Sequence, residues 1–235
     1  MTNKLNLFVD TAKKVCGGNL KSVILYGSRA SDEAVEKYSD YNLLIILNEI
    51  KFSNLKIIAP AIQKWIKTNN TSPLLFTMKN FLNSSDVFPI EFLEMKLHHK
   101  ILYGDNPFEK LSIELANLRH ECEFELKGKF LKLQQAYILT GGKENKVKEL
   151  LVDSISTFLI LFRAVICLTG KTPPPKRLDV LTKISEFINI NTKPFVSLLE
   201  IKETPKLAKK FNIEIIFEEY IKEIEKVIDF VDNYN

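Results

Sequence analysis

The apolar residues of this chain change rhythm once, close to Asn106-Pro107, and that change bounds what the sequence can fold into. Before it, short apolar runs alternate with helical segments, the pattern of strands and helices interleaved in layers. Val23-Ile24-Leu25-Tyr26 reads as a short strand ending at Gly27. Residues 43–47 (LLIIL) are rich enough in branched side chains for a central strand. The opening MTNKLNLFVDTAKK has the spacing of an amphipathic helix, and Leu55, Ile58, Ile62, Trp65 and Ile66 recur at helical intervals. Residues 74–77 and 88–93 read as further strands, with 101–103 as an edge or return strand before Gly104.

Beyond Asn106-Pro107 the punctuation is that of helices alone. One long helical pattern covers 108–139 and stops at Gly141-Gly142; a second covers 143–169 and stops at Gly170 and the Pro173-Pro174-Pro175 loop. A third runs over 177–188, with shorter pieces near 195–201. The last, over 214–231, carries the stripe Ile215, Ile216, Tyr220, Ile224, Val227, Ile228 and Val231. The expected fold is therefore α+β: a mixed sheet with flanking helices over residues 1–106, then an all-α bundle of four or five helices over 107–235.

The totals narrow the function classes. A net charge of +4 over 235 residues permits an anionic ligand, but the lysines are scattered and give no strong nucleic-acid signal. Cys16, Cys122 and Cys167 lie far apart, an odd and sparse set that argues for a reducing cytoplasm and against a disulfide framework or a zinc site. The first residues lack the apolar core of a signal peptide. The most apolar stretch, 150–168, is interrupted by Asp153, Ser154, Ser156 and Arg163, so it reads as a buried bundle helix rather than a membrane span. Arg163 has two readings: a contact to phosphate or acceptor, or an ion pair with a carboxylate such as Glu121, Glu123 or Glu125. The structural one is favoured, because buried guanidinium groups are usually paired within the protein.

The segment that carries chemistry is Leu25-Tyr26-Gly27-Ser28-Arg29-Ala30, followed by Ser39-Asp40-Tyr41-Asn42-Leu43-Leu44. A strand that turns sharply at Gly27 into a helix start exposes backbone N–H groups beside the Ser28 hydroxyl, donors suited to phosphate. Residues 40 and 42 have period-two spacing, so on a strand their side chains share a face. Each residue also has a plainer reading: Gly27-Ser28 as a common strand-to-helix turn, Asp40 as a loop or cap residue, Glu91 as an exposed strand position.

Taken in order, these residues resemble the signature of the DNA polymerase beta superfamily of nucleotidyltransferases: Gly-Ser after an apolar strand, a spacer of about ten residues, then Asp-x-Asp. The resemblance covers most of residues 20–105. It implies a nucleotidyltransferase-type domain that moves a nucleoside monophosphate from a nucleoside triphosphate to a hydroxyl of a small-molecule or protein acceptor. Gly27, Ser28 and Arg29 would bind the nucleotide, and Asp40, Asn42 and Glu91 would hold Mg2+, with Asp40 and Glu91 as the catalytic pair. The chain departs from the signature at Asn42, whose amide brings no charge to a metal ion. The resemblance therefore implies either a weakened enzyme or an inactive nucleotide-binding or partner-binding module. Aminoglycoside nucleotidyltransferases pair such a domain with a helical bundle, as do HEPN-type partners. No arginine lies four to six residues before His98, His99 or His120, which argues against the ribonuclease form of the latter. Self-pairing of the last helix would give a homodimer.

Overall fold

The computed structural model describes residues 3–30, 41–68 and 71–234. They belong to two compact units, Met1–Glu114 and Leu115–Asn235. The first holds a four-stranded sheet, β1 (Leu20–Tyr26), β2 (Asn42–Leu47), β3 (Leu74–Thr77) and β4 (His99–Gly104), in the order β3-β2-β1-β4. β1 is antiparallel to both β2 and β4, whereas β2 and β3 run parallel. A parallel neighbour requires a crossover, and α2 (Phe52–Ile66) lies in the connection between β2 and β3. α1 (Asn3–Cys16) precedes the sheet, and α3 (Met78–Asn83) and α4 (Pro89–Leu97) lie between β3 and β4.

The period-two alternation of strands distributes the core over both sheet faces. Val23, Leu25, Leu43, Ile45 and Leu47 pack under Leu5, Phe8, Val9 and Ala12 of α1 and Ile58 and Trp65 of α2. Ile24, Leu44 and Ile46 pack on the other side under Phe81, Phe92, Met95, Phe108 and Leu111. β2 thus has no solvent face, which is why its sequence is a continuous aliphatic run.

Two sequence expectations change here. Residues 88–93 belong to the start of helix α4, not to a strand. Pro89 occupies its first turn, where a missing N–H costs nothing, and Ile90, Phe92 and Met95 are buried. A six-residue apolar run does not by itself distinguish a strand from one buried helical turn. The helix expected from residue 108 begins later. Pro107–Lys110 is a single 3-10 turn, opened by the Asn106 side chain accepting from the Phe108 N–H, and α5 starts at Leu115. Phe108 and Leu111 are buried against the sheet, so this connection completes the first unit's core.

One glycine fixes the β1–β4 pairing. Gly104 pairs with Ser22 at φ +78°, and a Cβ there would run into the Lys21 carbonyl. The fully buried Ser22 hydroxyl donates to the neighbouring Asp105 carbonyl at 2.7 Å.

The second unit is built of α5 (Leu115–Thr140), α6 (Glu144–Leu168), α7 (Arg177–Ser185), α8 (Lys193–Glu203) and α9 (Ile213–Asp232). α6 is long and apolar enough to cross a membrane by length and composition. Here it is the central helix, with Leu151, Ile155, Phe158, Phe162 and Val165 buried. Tyr220 of α9 fills the middle: its ring meets Phe158 and Phe195 at 5.8 and 5.0 Å, and its hydroxyl lies 3.1 Å from Ser154 Oγ. Burial pushes this phenol well above its usual range.

Arg163 is buried and donates to the carbonyls of Pro174 and Pro175, fastening the triproline loop to α6. Glu123 and Glu125 pair along their own helix, the first with Arg119 and Lys127 and the second with Lys129. Buried Glu223 accepts from the Asn191 N–H at 2.9 Å and pairs with Lys226 at 2.7 Å, tying α9 to the loop before α8.

Gly104→Ala is expected to lower unfolding free energy by about 3 kcal/mol, since it combines backbone strain with a backbone clash; urea denaturation measures it. Glu223→Ala is expected to cost about 1–2 kcal/mol by removing its bonds to the half-buried Asn191 N–H and Lys226. A calorimetric melt unchanged from the parent would refute that role.

Candidate functional site

Three strand ends meet where the sequence places its chemistry. β1 ends at Tyr26, and the chain turns at Gly27 with φ +78°. The Ala30 N–H closes the turn by donating to the Gly27 carbonyl at 2.8 Å. The Gly27 N–H itself donates to the His98 carbonyl at 3.0 Å, at the junction of α4 and β4. Both the Gly27 and the Ala30 amides are therefore engaged within the protein. Ser28 is exposed.

Asn42 opens β2 directly across from Tyr26 in the antiparallel register. It lies so close to the turn that a Cβ on Gly27 would stand 3.1 Å from Asn42 Nδ2. On its other side Thr71 Oγ1 donates to Asn42 Oδ1 at 2.9 Å. The amide oxygen, the only atom of this side chain able to ligate a metal, is thus already an acceptor within the protein.

Arg29 follows the turn and is held in place. Its guanidinium lies over the Tyr41 ring at 4.4 Å, with Nη1 3.4 Å from the Tyr41 hydroxyl. Tyr41 in turn packs edge-on against Trp65 at 6.1 Å. The stacking holds the guanidinium beside the start of β2.

Asp40 lies outside the described residues, as does the helical excursion expected between Ala30 and Tyr41. Glu91 is described, and it is not on a strand. It sits exposed in the first turn of α4, with Glu94 half-buried one turn later on the same helix. On the side of β2 away from β1 lies β3, in parallel register from Leu44↔Leu74 onward. Neither β3 nor the lead-in Thr71-Ser72-Pro73 contains an acidic residue. Among the described residues no three His, Cys, Asp or Glu side chains are grouped to hold a metal ion. Of the three residues expected to hold a metal, only Asn42 is described beside Gly27; Glu91 is on the surface of α4 and Asp40 lies outside the described residues.

The structure adds neighbours that motif reading missed. Asn42, Tyr26 and His99 are directly paired across β2, β1 and β4, so the three side chains form a row on one sheet face. The His99 ring stacks on Phe108 at 4.4 Å, and its Nδ1 lies 3.0 Å from the Lys96 carbonyl. Burial pushes the Tyr26 phenol above its usual range. Only the strand register brings these residues together, and no local sequence signal encodes it. On the opposite face, α1 and α2 leave an apolar groove lined by Leu7, Phe8 and Trp65 with Lys4 and Lys64 at its edge. It is separate from Asn42, whose parity places it with Leu44 and Ile46.

No family model matches the chain, and no curated protein matches it. Among solved structures it is similar to the spectinomycin adenyltransferase AAD(9) from Enterococcus faecialis, a structure with ATP and spectinomycin. The two share 14% identity at a TM-score of 0.43, and the match covers 93% of this chain and 98% of that one. A likeness at that level carries no argument about the site.

Gly27→Ala is expected to strain the turn by about 1–2 kcal/mol and to displace the Asn42 amide. The check is a chemical denaturation midpoint together with the Asn42 side-chain amide resonance. An unmoved resonance would show that the two residues are not in contact.

Proposed function

We propose that this chain is a nucleotidyltransferase-fold protein that binds a nucleoside triphosphate at the C-terminal end of β1 and acts as a binding or regulatory module. The observation that carries this reading is the pairing of Asn42 with the Gly27 turn beside an acid-free β3. Phosphoryl chemistry of this kind is driven by charge. Metal ions offset the triphosphate and carboxylates hold the metals, so an amide at Asn42 and no acid on β3 remove charge where turnover needs it. Binding asks less. Ser28 at the turn and the stacked guanidinium of Arg29 supply a hydroxyl and a cation for an anionic ligand.

The second reading is a magnesium-dependent transfer of a nucleoside monophosphate to a hydroxyl on a small molecule or protein. Its support is the two-residue spacing of Asp40 and Asn42 in the sequence, with Asn42 opening β2. Asp40 would then carry the metal with Asn42 as a neutral ligand, and the acceptor would need a base other than a β3 carboxylate. A cytoplasmic location is proposed on the sparse, odd set of cysteines in the sequence.

Titration calorimetry of ATP, CTP, GTP and UTP, each with and without Mg2+, tests the proposal. The expected result is binding of at least one nucleotide without metal, weakened about tenfold in Arg29→Ala. Asn42→Asp is expected to create a magnesium dependence that the parent lacks. Pyrophosphate release by the parent with any acceptor would establish the second reading. No binding of any nucleotide would overturn both.

A further inference from the structure

We propose that the groove between α1 and α2 is a docking site for an acidic segment of a partner protein, with one apolar side chain of that segment entering against Trp65. α1 supplies Leu7 and Phe8 to its walls and α2 supplies Ala61 and Trp65, with Lys4 and Lys64 at the rim. Leu7 is 59% exposed, an apolar side chain left in water beside the opening. The Trp65 indole N–H donates to the Thr71 carbonyl at 3.1 Å, and the Thr11 and Thr68 hydroxyls donate to the Leu7 and Trp65 carbonyls. These donors are committed within the protein, so what the groove offers an entering group is apolar contact.

The size of the groove decides what can enter. Its volume is about 90 Å³. That is below the roughly 150 Å³ of a cavity that holds benzene, and well below the roughly 300–1,000 Å³ of pockets that enclose a small-molecule ligand. A free metabolite would keep most of its surface in water, whereas one side chain of a longer segment fills the space while the rest makes contacts outside it. The wall is also set before anything binds. The Trp65 ring packs on Phe8 at 4.8 Å and on Tyr41 at 6.1 Å, and its N–H is tied to Thr71, so docking costs little ordering.

Charge identifies the segment as acidic. Lys4 and Lys64 come from different helices, and neither forms an ion pair among the described residues. The two helices carry Lys4, Lys13, Lys14, Lys56 and Lys64 against a single acid, Asp10. Lys13 and Lys56 lie over the Tyr103 and Phe52 rings, contacts that leave their charges unneutralised. An apolar anchor with carboxylates on either side therefore matches both the walls and the rim. The groove is on the sheet face opposite Asn42, so the proposal stands apart from nucleotide binding.

Trp65 is the chain's single tryptophan, so its indole N–H gives one assigned resonance at the groove wall. The test is a magnetic-resonance titration of the full chain with a short blocked peptide in which a central phenylalanine is flanked on both sides by glutamates. The expected result is a saturable shift of that resonance with a dissociation constant of about 0.1–1 mM, weakened about tenfold when alanine replaces the phenylalanine. A chain carrying both Lys4→Glu and Lys64→Glu, changed only at exposed positions, is expected to bind about tenfold more weakly. Ala61→Leu, which fills the groove, is expected not to bind. An indole resonance unmoved at about 10 mM peptide overturns the proposal, as does an equal shift when lysines replace the glutamates. Cosedimentation with phosphatidylserine vesicles by a chain that ignores the peptide overturns it in favour of a membrane surface. A shift that follows protein concentration alone overturns it in favour of a second copy of the chain.

Discussion

The first unit depends on burial of its two central strands from both sides. Once Val23, Leu25, Ile45 and Leu47 are covered by α1 and α2 and Ile24, Leu44 and Ile46 by the aromatic layer of Phe81, Phe92 and Phe108, a buried polar side chain within β1 or β2 must be paired, as Ser22 is by donating to the Asp105 carbonyl. An unpaired polar atom there would carry its full desolvation cost. Polar chemistry is therefore displaced to the strand ends, where Gly27, Asn42 and His99 emerge together. The position of the candidate site follows from where the aliphatic runs stop.

Legibility of the sequence tracked this same constraint. β2 was readable because double-sided burial writes itself as LLIIL, and β3 because residues 74–77 are a short apolar run with a proline before it. The amphipathic helices α1, α2 and α9 were equally plain. The segment 88–97 was not, because its apolar residues serve a helix only nine residues long, too short to display a period. Phe108 read as the start of a bundle helix because nothing local says that its ring belongs to Phe81. Glu91 was assigned to a strand for the same reason, and its place on a helix surface follows directly. The row Asn42–Tyr26–His99 joins residues far apart in the chain, and register between distant strands is a tertiary property.

The departure at Asn42 takes on a particular form in three dimensions. Sequence presents it as one missing charge in a short motif. The structure shows the amide between Thr71 and the Gly27 turn, with its oxygen accepting one hydrogen bond and its nitrogen next to the glycine. An aspartate would accept the same bond from Thr71 but would leave a second oxygen against the turn with no donated proton. The asparagine therefore suits the two neighbours it touches, Thr71 and the Gly27 turn.

The apolar character of α6 has an implication for biosynthesis. The helix leaves the ribosome ahead of α7, α8 and α9, which supply much of its cover, including the Tyr220 ring set between Phe158 and Phe195. Until α7, α8 and α9 have been made, a segment apolar enough to enter a bilayer lacks most of its final cover. The nascent chain is thus most exposed to chaperone capture, or to mistaken delivery to a membrane, late in translation.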